Sequence, residues 1–140
     1  MGLAGRRPAV PAQASDAVIL LDTNAVVWLH QRHRRSRLLE DYLGEIYVSP
    51  VSLLEIQLLV EIGRIRLRSA AAVRDLTADD RWVIDNPSSV DWFDRALDTP
   101  WTRDPFDRLL VAHAALRGWR VATGDSELLE RLGPGASLEL

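Results

Sequence analysis

The chain has 140 residues, enough for one hydrophobic core and too few for two ordinary ones. Apolar residues make up 47% and charged residues 26%, which excludes wholesale disorder, and no apolar run approaches the roughly 18 residues of a membrane-spanning helix. Without Cys there is no disulfide, zinc–thiolate or thiol chemistry, and a net charge of −3 excludes a histone-like coat but not a local grip on a nucleic-acid strand.

Residues 1–17 (MGLAGRRPAVPAQASDA) are rich in Ala, Gly and Pro, contain Arg6 and Arg7 but no apolar signal core, and read as a flexible N-terminal extension. Residues 18–133 read as the folded unit. Val18 to Leu21 is a buried strand ended by Asp22, and a helix is expected from Asn24 to about His30. A second helical pattern covers Arg37 to Leu43, with Gly44 as its stop. Ile46 to Ser49 reads as a strand, and Pro50 to Ile62 as a helix with Pro50 in its first turn and Gly63 past its end. Shorter helices over Ala70 to Leu76 and Val90 to Leu97 flank a strand at Trp82 to Ile84. Pro105 to Arg117 carries full helix punctuation, with Asp104 as N-cap and Gly118 as stop. Trp119 to Thr123 is a strand and Ser126 to Leu132 the final helix, leaving residues 134–140 as a tail or short edge strand within Ala136 to Leu140.

Strands separated by helical crossovers predict an α/β fold, a parallel sheet covered on both faces, with the ligand crevice beyond the carboxyl ends of the strands. Asp22 and Asp125 follow two strands on that rim, Glu55 lies on the second turn of one helix leaving it, and Asp107 in the first turn of another. Converging carboxylates repel, which raises pKa values or calls for a cation. A hard divalent ion such as Mg²⁺ suits oxygen ligands and completes its shell with water and substrate phosphate, pointing to phosphodiester hydrolysis. Singly, each acid has a structural alternative. Asp22 and Asp125 suit helix caps, Asp107 suits a helix dipole, and Glu55 could pair with Ser52 in a capping box. Four such coincidences on one rim favour the functional reading.

The runs VILLDTNAVVWL, VSPVSLLEIQLLVEIGRIRL, RDPFDRLLVAHAALRG and VATGD, in this order and spacing, resemble the PIN-domain family, specifically VapC-type toxins of toxin–antitoxin pairs, from Val18 to Leu132. The resemblance implies a three-layer α/β/α PIN-like fold with a central parallel sheet, acting as a Mg²⁺- or Mn²⁺-dependent endoribonuclease in the cytoplasm. It places the family's acidic quartet on Asp22, Glu55, Asp107 and Asp125, with Asp22 and Asp107 as principal metal ligands. Thr23 and Asn24 flank Asp22 as supporting residues, Thr123 is a candidate for orienting a water or phosphate, and Asp104 is assigned mainly to capping. Structured RNA is the implied substrate, a cognate antitoxin and a homodimer the implied protein partners. Members of this subgroup often carry Lys at the position of Leu59 and His at that of Thr102, departures that leave the quartet intact and bear on substrate grip.

Other features read as structural. His30, His33 and His113 have no convincing set of co-ligands, and the sequence suggests neither a Ser/His/Asp arrangement nor a Gly-rich phosphate loop. The Arg clusters 32, 34, 35, 37 and 64, 66, 68 suit RNA phosphates but fit solvated surfaces slightly better. Of the five Trp residues, most suit a core, or a protein-facing groove near Trp28 and the Leu53–Leu54 helix. Two alternatives to the nuclease remain: a non-catalytic binding module on the same fold, and an aspartyl-phosphate hydrolase or receiver domain. The last fares poorly, because Asn24 stands where the hydrolase needs Asp and the chain has no Lys for the receiver.

Overall fold

A computed structural model describes residues 17–67 and 72–140. Five parallel strands form one sheet in the order β3–β2–β1–β4–β5: β1 (Val18–Leu21), β2 (Glu45–Val48), β3 (Val83–Ile84), β4 (Arg120–Thr123) and β5 (Ser137–Glu139). In register, Leu20 of β1 sits between Tyr47 of β2 and Val121 of β4. The chain winds outward from β1 through β2 to β3, then returns to β1's other side with β4. The winding direction therefore reverses between β1 and β4, where an open α/β sheet leaves a crevice at its carboxyl edge.

Helices cover both faces, as the three-layer α/β/α expectation requires. Alternate residues of a strand point to opposite faces, and the core divides accordingly. Ile19 and Leu21 pack with Ala25, Val26 and Leu29 of α1 (Thr23–His30), Leu39 of α2 (Arg37–Glu40) and Ile56 of α3 (Pro50–Glu61). Leu20 and Val121 pack on the other side with Leu110, Val111 and Ala114 of α6 (Pro105–Arg117) and Leu128 of α7 (Ser126–Leu132). A third cluster joins Val51 of α3 and Trp92 and Ala96 of α5 (Ser89–Ala96) to Ala112 of α6.

Most expected elements are present within a residue or two of their ends. The exception is the helix expected over Arg37 to Leu43, which stops at Glu40 and is preceded by a 3₁₀ turn at Arg34–Ser36. The reason lies at Gly44, where a Cβ would stand 1.8 Å from the Ala17 carbonyl oxygen. Residues 41–44 must bring the chain against the start of β1 so that Glu45 N–H reaches the Ala17 carbonyl (2.9 Å), and Leu43 is left fully exposed. The helix expected over Ala70 to Leu76 falls partly outside the described residues; within them, α4 covers Ala72–Asp75 and a 3₁₀ turn covers Leu76–Ala78. The N-terminal extension also lies outside them, apart from Ala17.

Candidate active site at the carboxyl rim

Asp22 follows β1 directly, and its amide continues the ladder by donating to the Ala122 carbonyl of β4 (3.0 Å). Its side chain is only 6% exposed. One carboxylate oxygen caps α1, accepting from Ala25 N–H (2.8 Å), and the other accepts the Thr123 hydroxyl in a short hydrogen bond. Thr123, fully buried at the end of β4, also accepts the Asp125 amide on its Oγ1 (2.9 Å). Its single proton is directed at Asp22, so Thr123 aligns the two acids rather than presenting a hydroxyl to solvent. Asp125 in turn caps α7, accepting from Glu127 N–H (2.8 Å) and Leu128 N–H (3.1 Å). Capping and rim placement thus coexist in both strand-end acids.

Glu55 sits on α3, where Ser49 caps and Pro50 opens the helix. Its Oε1 accepts a short hydrogen bond from the hydroxyl of buried Thr23. Asn24, beside it, is exposed. Asp107 lies in the first turn of α6, capped by Asp104, which accepts from Phe106 N–H (2.8 Å) and Asp107 N–H (3.4 Å). Thr102 is buried and serves this turn, its hydroxyl oxygen accepting the Asp104 amide (3.2 Å) while its carbonyl accepts Arg108 Nε–H (2.8 Å).

Electrostatics ties these acids together. Burial pushes Asp22 up to about 6, with Asp125 and Glu55 adding to the rise and the hydrogen bonds from Thr123 and Ala25 opposing it. Burial likewise pushes Asp107 up to about 7, reinforced by Asp104, Glu55, Asp125 and Asp22. Glu55 is raised by burial and by Asp104, against the Thr23 hydrogen bond. The charges acting on all three are carboxylates, so Asp104 belongs electrically to the group as well as capping α6. A set of oxygen donors with surplus negative charge suits a hard divalent cation. Among the described residues, no three of these acids stand close enough to enclose an ion as placed.

The three His residues lie elsewhere. His30 Nδ1 is 3.1 Å from Asp79, and His33 Nδ1 accepts Arg35 N–H (3.1 Å). His113 is fully buried between Ser49 Oγ (2.9 Å) and Asp85 Oδ2 (2.7 Å). The Ser/His/Asp alignment that the sequence does not suggest is therefore present, but Ser49 and His113 are both sealed from solvent and no substrate reaches the hydroxyl. Asp85 is also held by Arg117 through Nε (2.7 Å) and Nη2 (3.2 Å). Two signals point to this cluster: an acid directly after the third strand, and His113 and Arg117 one helical turn apart.

The PIN domain family profile matches residues 19–133. The chain belongs to the PIN-domain family. PIN domains are generally nucleases and typically use divalent metals. The PIN fold is also found in solved structures. A toxin–antitoxin complex from Klebsiella pneumoniae aligns at a TM-score of 0.62 and 20% identity, covering 87% of this chain and 99% of the other. VapBC2 from Rickettsia felis, bound to a DNA fragment from its promoter, aligns at 0.59 and 18%, covering 87% and 97%. No curated protein matches the sequence. Among the described residues, no helix of this PIN domain is long and apolar enough to cross a membrane.

Proposed function

We propose that the chain is the toxin of a toxin–antitoxin pair, a divalent-metal-dependent endoribonuclease that cuts structured RNA such as a tRNA or rRNA loop. The reading rests on one observation above all: Asp22 and Asp125 flank the β1/β4 reversal, hydrogen-bonded to one buried Thr123, with Glu55 and Asp107 in the same field. Asp22 and Asp107 are the principal ligands for Mg²⁺ or Mn²⁺, and Glu55 and Asp125 complete the pocket. A bound cation supplies charge neutralisation at the phosphate and lowers the pKa of water. The protein's own part is orientation. Thr123 holds Asp22 and Thr23 holds Glu55, so each carboxylate keeps an oxygen direction set from the helix or strand beneath it. Asn24, two residues after Asp22, and Arg103, next to Asp104, are exposed and are the groups assigned to the RNA backbone in this reading.

The antitoxin belongs to the same reading. Leu54 and Leu58 of α3 and Ile62 at its C-cap are exposed at helical spacing, and Leu54 also lines an open groove of about 480 Å³ with Leu53, Gln57, Val73, Arg74 and Thr77. An apolar helix face of this kind suits an antitoxin segment. Exposed Val90 and Phe93 of α5 and Leu97 at its C-cap suit self-association into a homodimer. Both activities fit a cytoplasmic protein.

The test is incubation of the purified chain with total tRNA and with rRNA in Mg²⁺ or Mn²⁺, against metal-free controls. Discrete endonucleolytic products that disappear with chelation support the reading. Intact RNA together with no Mn²⁺ binding would leave the non-catalytic module as the better account.

A further inference from the structure

We propose that His113 is a positioning residue for the rim acids: by bridging Ser49 and Asp85 it fixes the separation of the helices that carry Glu55 and Asp107. The inference rests on the nuclease reading for its purpose, but the mechanical claim concerns this chain's own helices.

Both ring nitrogens are committed. Asp85 is an acceptor, so Nε2 carries the proton and donates to it, and Nδ1 accepts the Ser49 hydroxyl. Burial pushes the imidazole pKa down, which keeps the ring neutral in this arrangement. A fully buried imidazole costs desolvation that an aliphatic side chain would avoid, so its hydrogen bonds call for a reason beyond filling space.

The placement supplies that reason. Ser49 is the N-cap of α3, and Glu55 lies six residues further along that helix. His113 is on α6, and Asp107 lies six residues back toward its start. At 1.5 Å of rise per residue, each acid stands about 9 Å along its helix from the His113–Ser49 bond. The two acids carry like charge at the rim, and like charges there favour separation of the helix ends. The hydrogen-bonded strut resists this from below. Its far end is anchored: Asp85 N–H donates to the Val48 carbonyl (3.0 Å), and Arg117 grips the same carboxylate one turn beyond His113. Trp92 of α5 packs edge-on against the ring at 5.2 Å and donates its indole N–H to the Leu109 carbonyl (2.7 Å), closing the remaining side. α6 is thereby held against both the sheet edge and the cap of α3.

His113→Leu keeps apolar volume and removes the strut, whereas His113→Gln retains an amide able to accept from Ser49 and donate to Asp85. The absence of Cys allows paired spin labels at Leu54→Cys on α3 and Ala115→Cys on α6, read by dipolar spectroscopy on the full chain without metal. The inter-label distance distribution is expected to broaden or shift in His113→Leu and to return in His113→Gln. Calorimetric titration with Mn²⁺ is expected to show affinity about tenfold or more weaker in His113→Leu, the range typical of lost supporting contacts, and close to wild type in His113→Gln. Should His113→Leu fail to fold, Ser49→Ala deletes the hydroxyl end of the strut together with the side-chain cap on Val51 N–H and is expected to change both readouts in the same direction, with Ser49→Thr restoring them. An unchanged distance distribution in a folded strut-deleted variant overturns the proposal, as does wild-type Mn²⁺ affinity. If the wild-type chain itself binds no Mn²⁺, the nuclease reading fails while the distance measurement still judges the strut.

Discussion

The Thr123 hydroxyl donates to the Asp22 carboxylate, joining the ends of two neighbouring strands across 101 positions of sequence. Through the same oxygen Thr123 accepts the Asp125 amide, so one buried hydroxyl sets the positions of two rim acids. Sheet order makes this contact available: β4 lies directly beside β1 only because the chain doubles back after β3.

Thr123→Val keeps the β-branched shape and removes the hydroxyl. Asp22 then loses a donor in a site already short of them, and the Asp125 amide loses its acceptor. Leaving buried polar groups unpaired costs about 1–3 kcal/mol, so the unfolding free energy is expected to fall by that amount with an unchanged m-value. Loss of the hydrogen bond that lowers Asp22 also raises its pKa further above about 6, and RNA cleavage at neutral pH is expected to drop. Wild-type stability in equilibrium urea unfolding would show that the short bond carries no energy.

Asp22→Asn separates charge from shape. The amide oxygen still accepts Ala25 N–H, so α1 keeps its cap; the amide nitrogen then faces Thr123 and cannot accept its hydroxyl proton, a loss offset by removing a buried charge that repels Asp107 and Glu55. Far-UV circular dichroism and the melting temperature are expected to stay close to wild type. RNA cleavage is expected to fall at least about a hundredfold, the upper end of what losing a mere supporting group produces. Full cleavage by the folded variant would contradict the ligand role of Asp22.

The acids after β1 and β4 are legible in the sequence because each follows a short apolar run with clear limits, and Asp104–Pro105 marks the start of α6 unambiguously. Glu55 is legible as a charge inside VSLLEIQLLV. Less accessible is anything depending on contact between distant segments. The hub role of Thr123 requires β4 to neighbour β1, and the sequence carries no sign of strand order. Asp85 directly follows the strand expected at Trp82 to Ile84, but its partners His113 and Arg117 lie 28 and 32 positions further on, a contact that local pattern does not reveal. The overlong helix after Arg37 has good periodicity, but the close approach of Gly44 to Ala17 is a tertiary demand that local pattern does not reveal.

A pH series on His113→Gln tests the buried strut from its protonation side. His113 has its pKa lowered below 6.5 by burial, against the raising influence of Asp85, with Arg117 opposing protonation as well. The unfolded chain therefore binds the proton first as pH falls. Stability from the neutral ring is present above about 6.5 and is lost as pH drops through the lowered folded value. The His113→Gln variant has no such linkage, because an amide does not titrate. The gap in melting temperature between wild type and this variant is accordingly expected to narrow from about pH 7.5 to about pH 5, a window set by the ordinary imidazole value. A gap that widens on acidification would mean that the ring is protonated in the folded protein and paired as a cation with Asp85.

Gly44→Ala probes the tertiary demand that shortens α2. The added Cβ would meet the Ala17 carbonyl oxygen at 1.8 Å and the Tyr42 ring at 2.7 Å. Backbone oxygen cannot swing aside as a side chain does, so the strand entrance must separate and the Glu45–Ala17 hydrogen bond must lengthen or break. Overpacking of this kind reaches about 3 kcal/mol, and the melting temperature is expected to fall correspondingly. Gly135→Ala is the control, because a Cβ there meets nothing within 4 Å and the backbone angle is unexceptional. That change is expected to stay within about 0.5 kcal/mol. If both variants melt together with wild type, the turn at residues 41–44 has room to spare, and the early end of α2 must have another origin than the approach of Gly44 to β1.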